Sequence, residues 1–364
     1  MPAYAVGTES GKNTPAILTS RQKIQNIFNL SEIVMALLSR HFKEEEIIAG
    51  INLFPQNPPM TWQIINVAAG LRPEINLVNP SSGFTESRDL LKIAQASSPN
   101  LFSGTVDYLV NIFLPLAQEQ GVKFGGNVVY LNGFTKMHPV QRQRVKEMFK
   151  SLGVNSVIAL DGYSASELKE SALIECEEKS GFHHLAPLSN IIRTVRINKL
   201  DPKSGYVHDW DFAREGEEGY AAIWNIDGAG TLLEGYLLGD RYERISYHRC
   251  PSCGLNVERI FNVSRAADQQ ARIKGVIVDL NTLREKILNI QQVREVQLVV
   301  EKGASSDRLV VRYIPADGGA DKVEGEIREL FEAYSDVQPA AIEKASAADF
   351  YRDKKSTFTG ILRT

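Results

Sequence analysis

All three cysteines of the chain fall into two short segments, and a histidine falls with them. Cys250 and Cys253 form a Cys-x-x-Cys, Cys176 lies upstream, and His183 stands seven residues after Cys176. A Cys-x-x-Cys joined by a distant Cys and His supplies the four ligands of a closed tetrahedral zinc site. The same residues also suit buried or free thiols, so spacing alone leaves both readings open. His184 and His248 are rival ligands.

The elements that would position such groups can be read from apolar periodicity. Ile24, Ile27, Phe28, Met35 and Leu38 lie on one helical face, with Thr19 or Ser20 as N-cap. After the proline-rich stretch 54–59, short apolar strands at 74–80, 127–133 and 155–162 alternate with helical stretches at 85–96, 103–119 and 139–152. Alternation of this kind predicts α/β layers. From about residue 191 strands separated by turn signals predict a β-rich subdomain. Beyond Arg265, a strand, a helix at 281–290, the paired strands EVQLVVEK and DRLVVRYIP and a helix at 321–334 predict a small α+β domain. The expected division is 1–263 for an α/β core and 264–364 for the smaller domain.

Composition narrows the classes of partner. The chain has 364 residues, 43% of them hydrophobic, enough for two domains each with its own core. With 41 basic and 44 acidic residues the net charge is -3, which provides no basic field for nucleic acid or an anionic membrane. No apolar run approaches the roughly 18 to 20 residues of a membrane span, and residues 1–12 lack the pattern of a signal peptide. A cytoplasmic location is expected, where three cysteines do not make a disulfide framework.

Several segments, in order, resemble the phenylacetate-CoA ligase branch of the adenylate-forming superfamily. YSASELKESALIECEEKSGFHH (163–184) is similar to its Tyr-Gly-x-Ser/Thr-Glu motif with the Glu-Cys and Gly-x-His elements that follow. GEEGY (216–220), YLLGD (236–240) and CPSCG (250–254) stand where that family has Gly-Glu-x-Gly-Glu, Tyr-x-Thr-Gly-Asp and Cys-Pro-Cys-Gly. The resemblance spans nearly the whole chain and is to a member shortened at its N-terminus. It implies a large adenylation core with a β-rich subdomain and a mobile C-terminal lid.

The resemblance also implies roles. VGTESGK (6–12) would be the phosphate loop, in which Gly7 and Gly11 turn backbone N–H groups toward phosphate and Thr8, Ser10 and Lys12 add donors. Glu9 departs from the family pattern by placing a carboxylate there. Asn132 and Gly133 would border the adenine at the carboxyl end of a strand. Tyr163 would stack on the base, Ser166 would belong to the same nucleotide-binding turn, and Glu167 would bind Mg2+ through carboxylate oxygen. Asp240 would hold the ribose hydroxyls, with Arg265, ahead of Arg259, near the hinge. In YRDKKSTFTGILR (351–363), Lys355, with Lys354 second, would contact carboxylate and phosphate as a mobile point charge. Taken one at a time, these residues also suit a chain terminus, a strand-to-helix turn, a helix cap, a surface turn or a solvated tail.

The implied function is ATP-dependent activation of a carboxylic acid, aromatic in the nearest branch, as acyl-AMP, followed by transfer to CoA or a phosphopantetheine thiol. ATP and Mg2+ would be the cofactors, with structural Zn2+ at the cysteines. Two alternatives stay open: a non-catalytic member acting as a binding or scaffold subunit, and an enzyme that hands acyl-AMP to a separate downstream enzyme. A carrier protein is a further expected partner, and homodimerisation is left open.

Overall fold

The computed structural model describes residues 3–6, 16–19, 28, 31–32, 34–43, 47–55, 65–66, 69–72, 74–133, 136–168, 172–200, 207–226, 232–265, 270–273, 276–301, 308–316, 322–335, 337–346 and 361–363. The chain divides into two compact units, 1–137 with 141–264, and 138–140 with 265–364. No helix among the described residues is long and apolar enough to cross a membrane.

The first unit is α/β and is built on one twelve-stranded sheet. Its first half is parallel, with β4 (Ile75–Val78), β3 (Ile48–Asn52), β5 (Leu101–Gly104), β6 (Asn127–Asn132) and β7 (Ser156–Tyr163) side by side. These are the near-continuous apolar runs of the sequence, because a parallel strand covered on both faces has no polar side to alternate with. Helices α1 (Ser87–Ser97) and α4 (Pro139–Ser151) flank them, together with a broken helix over 106–119. Phe102, Phe113, Phe124 and Phe149 form the centre of this layer, and Phe102 and Phe149 meet edge to face at 5.0 Å.

Two sequence expectations need correction here. Residues 103–104 end β5 instead of starting a helix, since Leu101–Gly104 is wholly buried and pairs with both β3 and β6. The helix that follows starts as α2 (Val106–Tyr108), widens into a π-turn (Leu109–Phe113) and continues as α3 (Leu114–Glu119). Pro115 explains the π-turn: it lacks an N–H and its ring would collide with the carbonyl four residues earlier, so the ladder loosens just before it. Phe28, expected on a buried helical face, is 47% exposed, whereas Met35 and Leu38 are buried; packing on the sheet starts at Val34. Ile24 and Ile27 lie outside the described residues.

The second half of the sheet is antiparallel. β7 turns into β8 (Leu173–Glu175) and β9 (Phe182–His184), and the sheet continues through β14 (Arg259–Arg265), β13 (Tyr236–Ser246), β12 (Gly219–Asn225), β10 (Asn190–Leu200) and the edge strand β11 (Val207–Phe212). Leu168, Leu173, Ile192, Ala221, Ile223, Tyr242 and Ile260 form its core. A separate two-stranded sheet pairs β1 (Ala3–Val6) with β2 (Ala16–Thr19).

In the second unit β15 (Gln270–Ile273) pairs with β16 (Val276–Asp279). A four-stranded sheet in the order β19 (Ala341–Lys344), β18 (Arg308–Pro315), β17 (Val293–Glu301), β20 (Ile361–Arg363) packs against α5 (Leu280–Leu288) and α6 (Val323–Tyr334). Val296, Leu298 and Val300 face the helices together with Leu309, Val311 and Tyr313, the period-2 pattern of a half-covered sheet. The unit carries its own apolar core, as an independent domain requires.

Candidate nucleotide site and metal centre

Two of the sequence-predicted residues meet directly. Tyr163 ends β7 and Asp240 lies on β13, 77 residues away, yet the Tyr163 hydroxyl donates to Asp240 Oδ2 at 2.6 Å. Asp240 is buried and Tyr163 half-buried. Burial first, and the Asp240 charge second, push the Tyr163 hydroxyl well above the usual tyrosine range, so it stays a donor. Tyr242 extends the chain of hydroxyls, donating to Tyr163 Oη at 3.4 Å, and its ring meets that of Tyr163 edge to face at 6.0 Å. Sequence reasoning missed Tyr242, although its place two residues after Asp240 on one strand puts both on the same face.

Glu167 lies half-buried in the 3-10 turn Ser166–Leu168, whose Glu167 carbonyl accepts from Asn225 Nδ2 at 3.4 Å. Its charge, after burial, helps raise the Tyr236 hydroxyl, which places Glu167 beside the strand that carries Asp240. Asn132 ends β6. Its buried side chain donates to Asp161 Oδ1 at 2.6 Å and accepts from the Val106 N–H at 2.8 Å, tying β6 to β7 and to the start of α2. Gly133 follows it, and a Cβ there would stand 3.0 Å from Phe54 Cζ, so the glycine lets that ring close on the strand end. Thr8, Ser10, Gly11, Lys12 and Lys355 lie outside the described residues, as do the side chains of Ser166 and Arg265.

The cysteines and His183 converge. The four ligand atoms of Cys176, His183, Cys250 and Cys253 lie within 4.8 Å of one another. Cys176 Sγ and Cys250 Sγ are 3.7 Å apart, and Cys253 Sγ is 3.3 Å from His183 Nε2. A tetrahedron with zinc–sulfur bonds of about 2.3 Å has edges of about 3.8 Å, so these separations are of the size that one zinc ion sets. His183 Nδ1 is 3.1 Å from the Ile174 carbonyl, which can only accept; Nδ1 therefore carries the proton and Nε2 faces Cys253 with its lone pair. His184, a rival in the sequence, points elsewhere and meets Glu258 at 3.4 Å through Nδ1. His248 is exposed, 3.5 Å from Glu215.

Local structure explains why this sequence makes the cluster. In CPSCG the Gly254 N–H donates to the Cys250 carbonyl at 2.9 Å and the Cys250 N–H to the Leu255 carbonyl at 2.8 Å. Gly254 has φ +77, a left-handed conformation that favours glycine. Gly181, at φ +86, leads into His183, and a Cβ there would stand 2.7 Å from Phe261. Burial pushes the Cys176 thiol up to about 12, so by itself it stays a neutral thiol. A bound cation reverses that preference by favouring thiolate.

No protein-family model matches the chain, and no curated protein is a significant match. Solved structures do match. 2-Hydroxyisobutyryl-CoA ligase, crystallised in the postadenylation state with R3-HIB-AMP, superposes with a TM-score of 0.70 over 96% of this chain and 71% of its own, at 14% identity. ATP-bound MatB from Rhodopseudomonas palustris gives 0.57 at 10% identity, over 94% of this chain and 63% of its own. Coronafacic acid ligase from Pectobacterium brasiliense gives 0.54 at 12% identity, over 94% and 64%. The chain thus spans less than two thirds of the length of these last two. It shares the fold of these ligases.

Proposed function

We propose that this chain is an adenylate-forming ligase that activates a carboxylic acid with ATP as acyl-AMP and passes the acyl group to a thiol. The observation that carries the reading is the Tyr163–Asp240 hydrogen bond within this fold, since it joins a base-stacking ring and a ribose-binding carboxylate from motifs 77 residues apart. Joining a carboxylate to an α-phosphate brings two anions together, so the site must orient both and offset their repulsion. Tyr163 and Asp240 would supply orientation, and Glu167 would hold Mg2+, which would offset phosphate charge. On the sequence resemblance, Thr8, Ser10, Gly11 and Lys12 would cradle the phosphates and Arg265 and Lys355 would bring positive charge. The acceptor would be CoA or a phosphopantetheine arm, and the acid aromatic.

Cys176, His183, Cys250 and Cys253 would hold a structural zinc ion. Four protein ligands leave no position for water or substrate, so the ion would fasten strands and take no part in the reaction. It would tie β8 and β9, which follow Tyr163 and Glu167, to the loop after β13, which carries Asp240.

A second reading is favoured by Glu9, a carboxylate in the expected phosphate loop: a family member that keeps the nucleotide pocket without turnover and acts as a binding or scaffold subunit. Calorimetric titration with ATP tests the shared premise. Asp240→Ala should weaken ATP binding by about 1 to 3 kcal/mol, the range for leaving a buried polar partner unmatched. Unchanged affinity in a folded variant would remove Asp240 from the site.

A further inference from the structure

The proposed metal centre has a third attachment that lies far from its ligands in sequence. The helical residues 34–38 run into a 3-10 turn, Ser39–His41, whose last two residues reach the two ligand-bearing loops. His41 Nε2 stands 2.8 Å from the carbonyl oxygen of Cys176, a ligand itself, and donates to it. Arg40 Nη2 donates at 2.5 Å to the carbonyl of Ser252, between Cys250 and Cys253. Met35, Leu37 and Leu38 pack into the same cluster as Cys176 and Cys250, with Cys253 at its margin. We infer that Arg40 and His41 are positioning residues for the metal centre, so that the ion fastens the segment 34–41 to the two ligand loops as well as fastening those loops to each other.

The chemistry follows from what each contact restrains. A ligating thiolate is aimed by the backbone that carries it, and removing an outer partner that orients a ligand typically costs roughly 10 to 100-fold in metal affinity. Cys176 has its N–H on Ser180 Oγ at 3.1 Å and its carbonyl on His41, so both of its peptide groups are held. In the Cys-x-x-Cys turn the Cys250 and Gly254 amides are used within the knuckle, and the Ser252 carbonyl is taken by Arg40. Arg40 adds charge as well as geometry. One zinc with three thiolates and a neutral imidazole carries a net charge of about -1, which a neighbouring guanidinium favours.

The inference rests on the zinc reading, and the experiment separates the two. Zinc content of the purified chain is measured first, and a chain without zinc overturns both. Zinc release from the loaded protein to a chromogenic chelator is then followed for wild type, Arg40→Ala, His41→Ala and the donor-keeping variants Arg40→Lys and His41→Gln. Release should be roughly 10 to 100-fold faster in the alanine variants, the usual range for removing an outer partner, and substantially restored in His41→Gln. Leu90→Ala, in the core of the parallel sheet, serves as a variant of lowered melting temperature without these contacts. Alanine variants that release zinc no faster than Leu90→Ala at matched melting temperature would overturn the inference. Should the variants fail to fold, hydrogen exchange on wild type decides. Zinc removal should raise exchange in 34–41 while leaving β5 and β6 protected, and equal exchange with and without zinc would overturn it.

Discussion

At the scale of single residues, the account turns on groups whose partners lie far away in sequence. Tyr163 and Asp240 were nameable only through motifs; nothing in either local stretch says that a hydroxyl and a carboxylate will stand 2.6 Å apart. The geometry yields a finer expectation than either motif does. Tyr163→Phe keeps the ring and deletes the donor, so if the hydroxyl aims Asp240 the variant should lose several-fold in affinity for ATP. It should lose much less for 2',3'-dideoxy-ATP, which has no ribose hydroxyls for Asp240. No loss for either nucleotide would assign Tyr163 to base stacking alone, and equal losses for both would mean that the hydroxyl does not act through the ribose contact. Glu258 is a structural counterpart. Its hydrogen bond with His184, helped by the Arg193 guanidinium, holds its carboxyl down to about 2 from an ordinary 4.5. A depressed carboxylate stabilises the fold above its unfolded value and loses that contribution as pH falls. Glu258→Gln should therefore be less stable than wild type near pH 6, with the difference in melting temperature shrinking as pH falls from about 4.5 toward 2. A constant difference across that range would mean that Glu258 contributes through shape alone.

At the scale of elements, periodicity carried much of the reading. The apolar runs at 127–133 and 155–162 became β6 and β7, and the helical pattern at 139–152 became α4. The misses have physical causes. The reading of 103–119 as one helix counted apolar spacing without Pro115, whose missing donor calls for the π-turn, and overlooked that strand pairing takes 103–104. The approach of 34–41 to the cysteine loops was invisible, because contacts over 135 and 212 residues are set by packing and leave no local signal. The grouping of Cys176, His183, Cys250 and Cys253 was legible because thiols are scarce in the chain and a Cys-x-x-Cys is short. Protein purified without added metal should carry close to one zinc per chain, and Cys253→Ser should lower both zinc content and melting temperature. Metal-free protein with three titratable thiols under native conditions would return the cluster to a set of buried cysteines.

At the scale of the molecule, the order of elements was the strongest signal. Alternating strands and helices, then antiparallel strands, then a small α+β unit describe both the sequence reading and the two compact units of the chain. The join between the sheet's parallel and antiparallel halves was not readable, because it depends on β7 pairing with β6 on one side and β8 on the other. The proposed function is that the chain joins a carboxylate to AMP. The most direct test is exchange of radiolabelled pyrophosphate into ATP, with Mg2+ and a panel of aromatic and aliphatic carboxylic acids. The account predicts acid-dependent exchange that is strongly reduced in Asp240→Ala. Binding of ATP with no exchange for any acid would contradict adenylation and leave the chain a nucleotide-binding relative of these ligases.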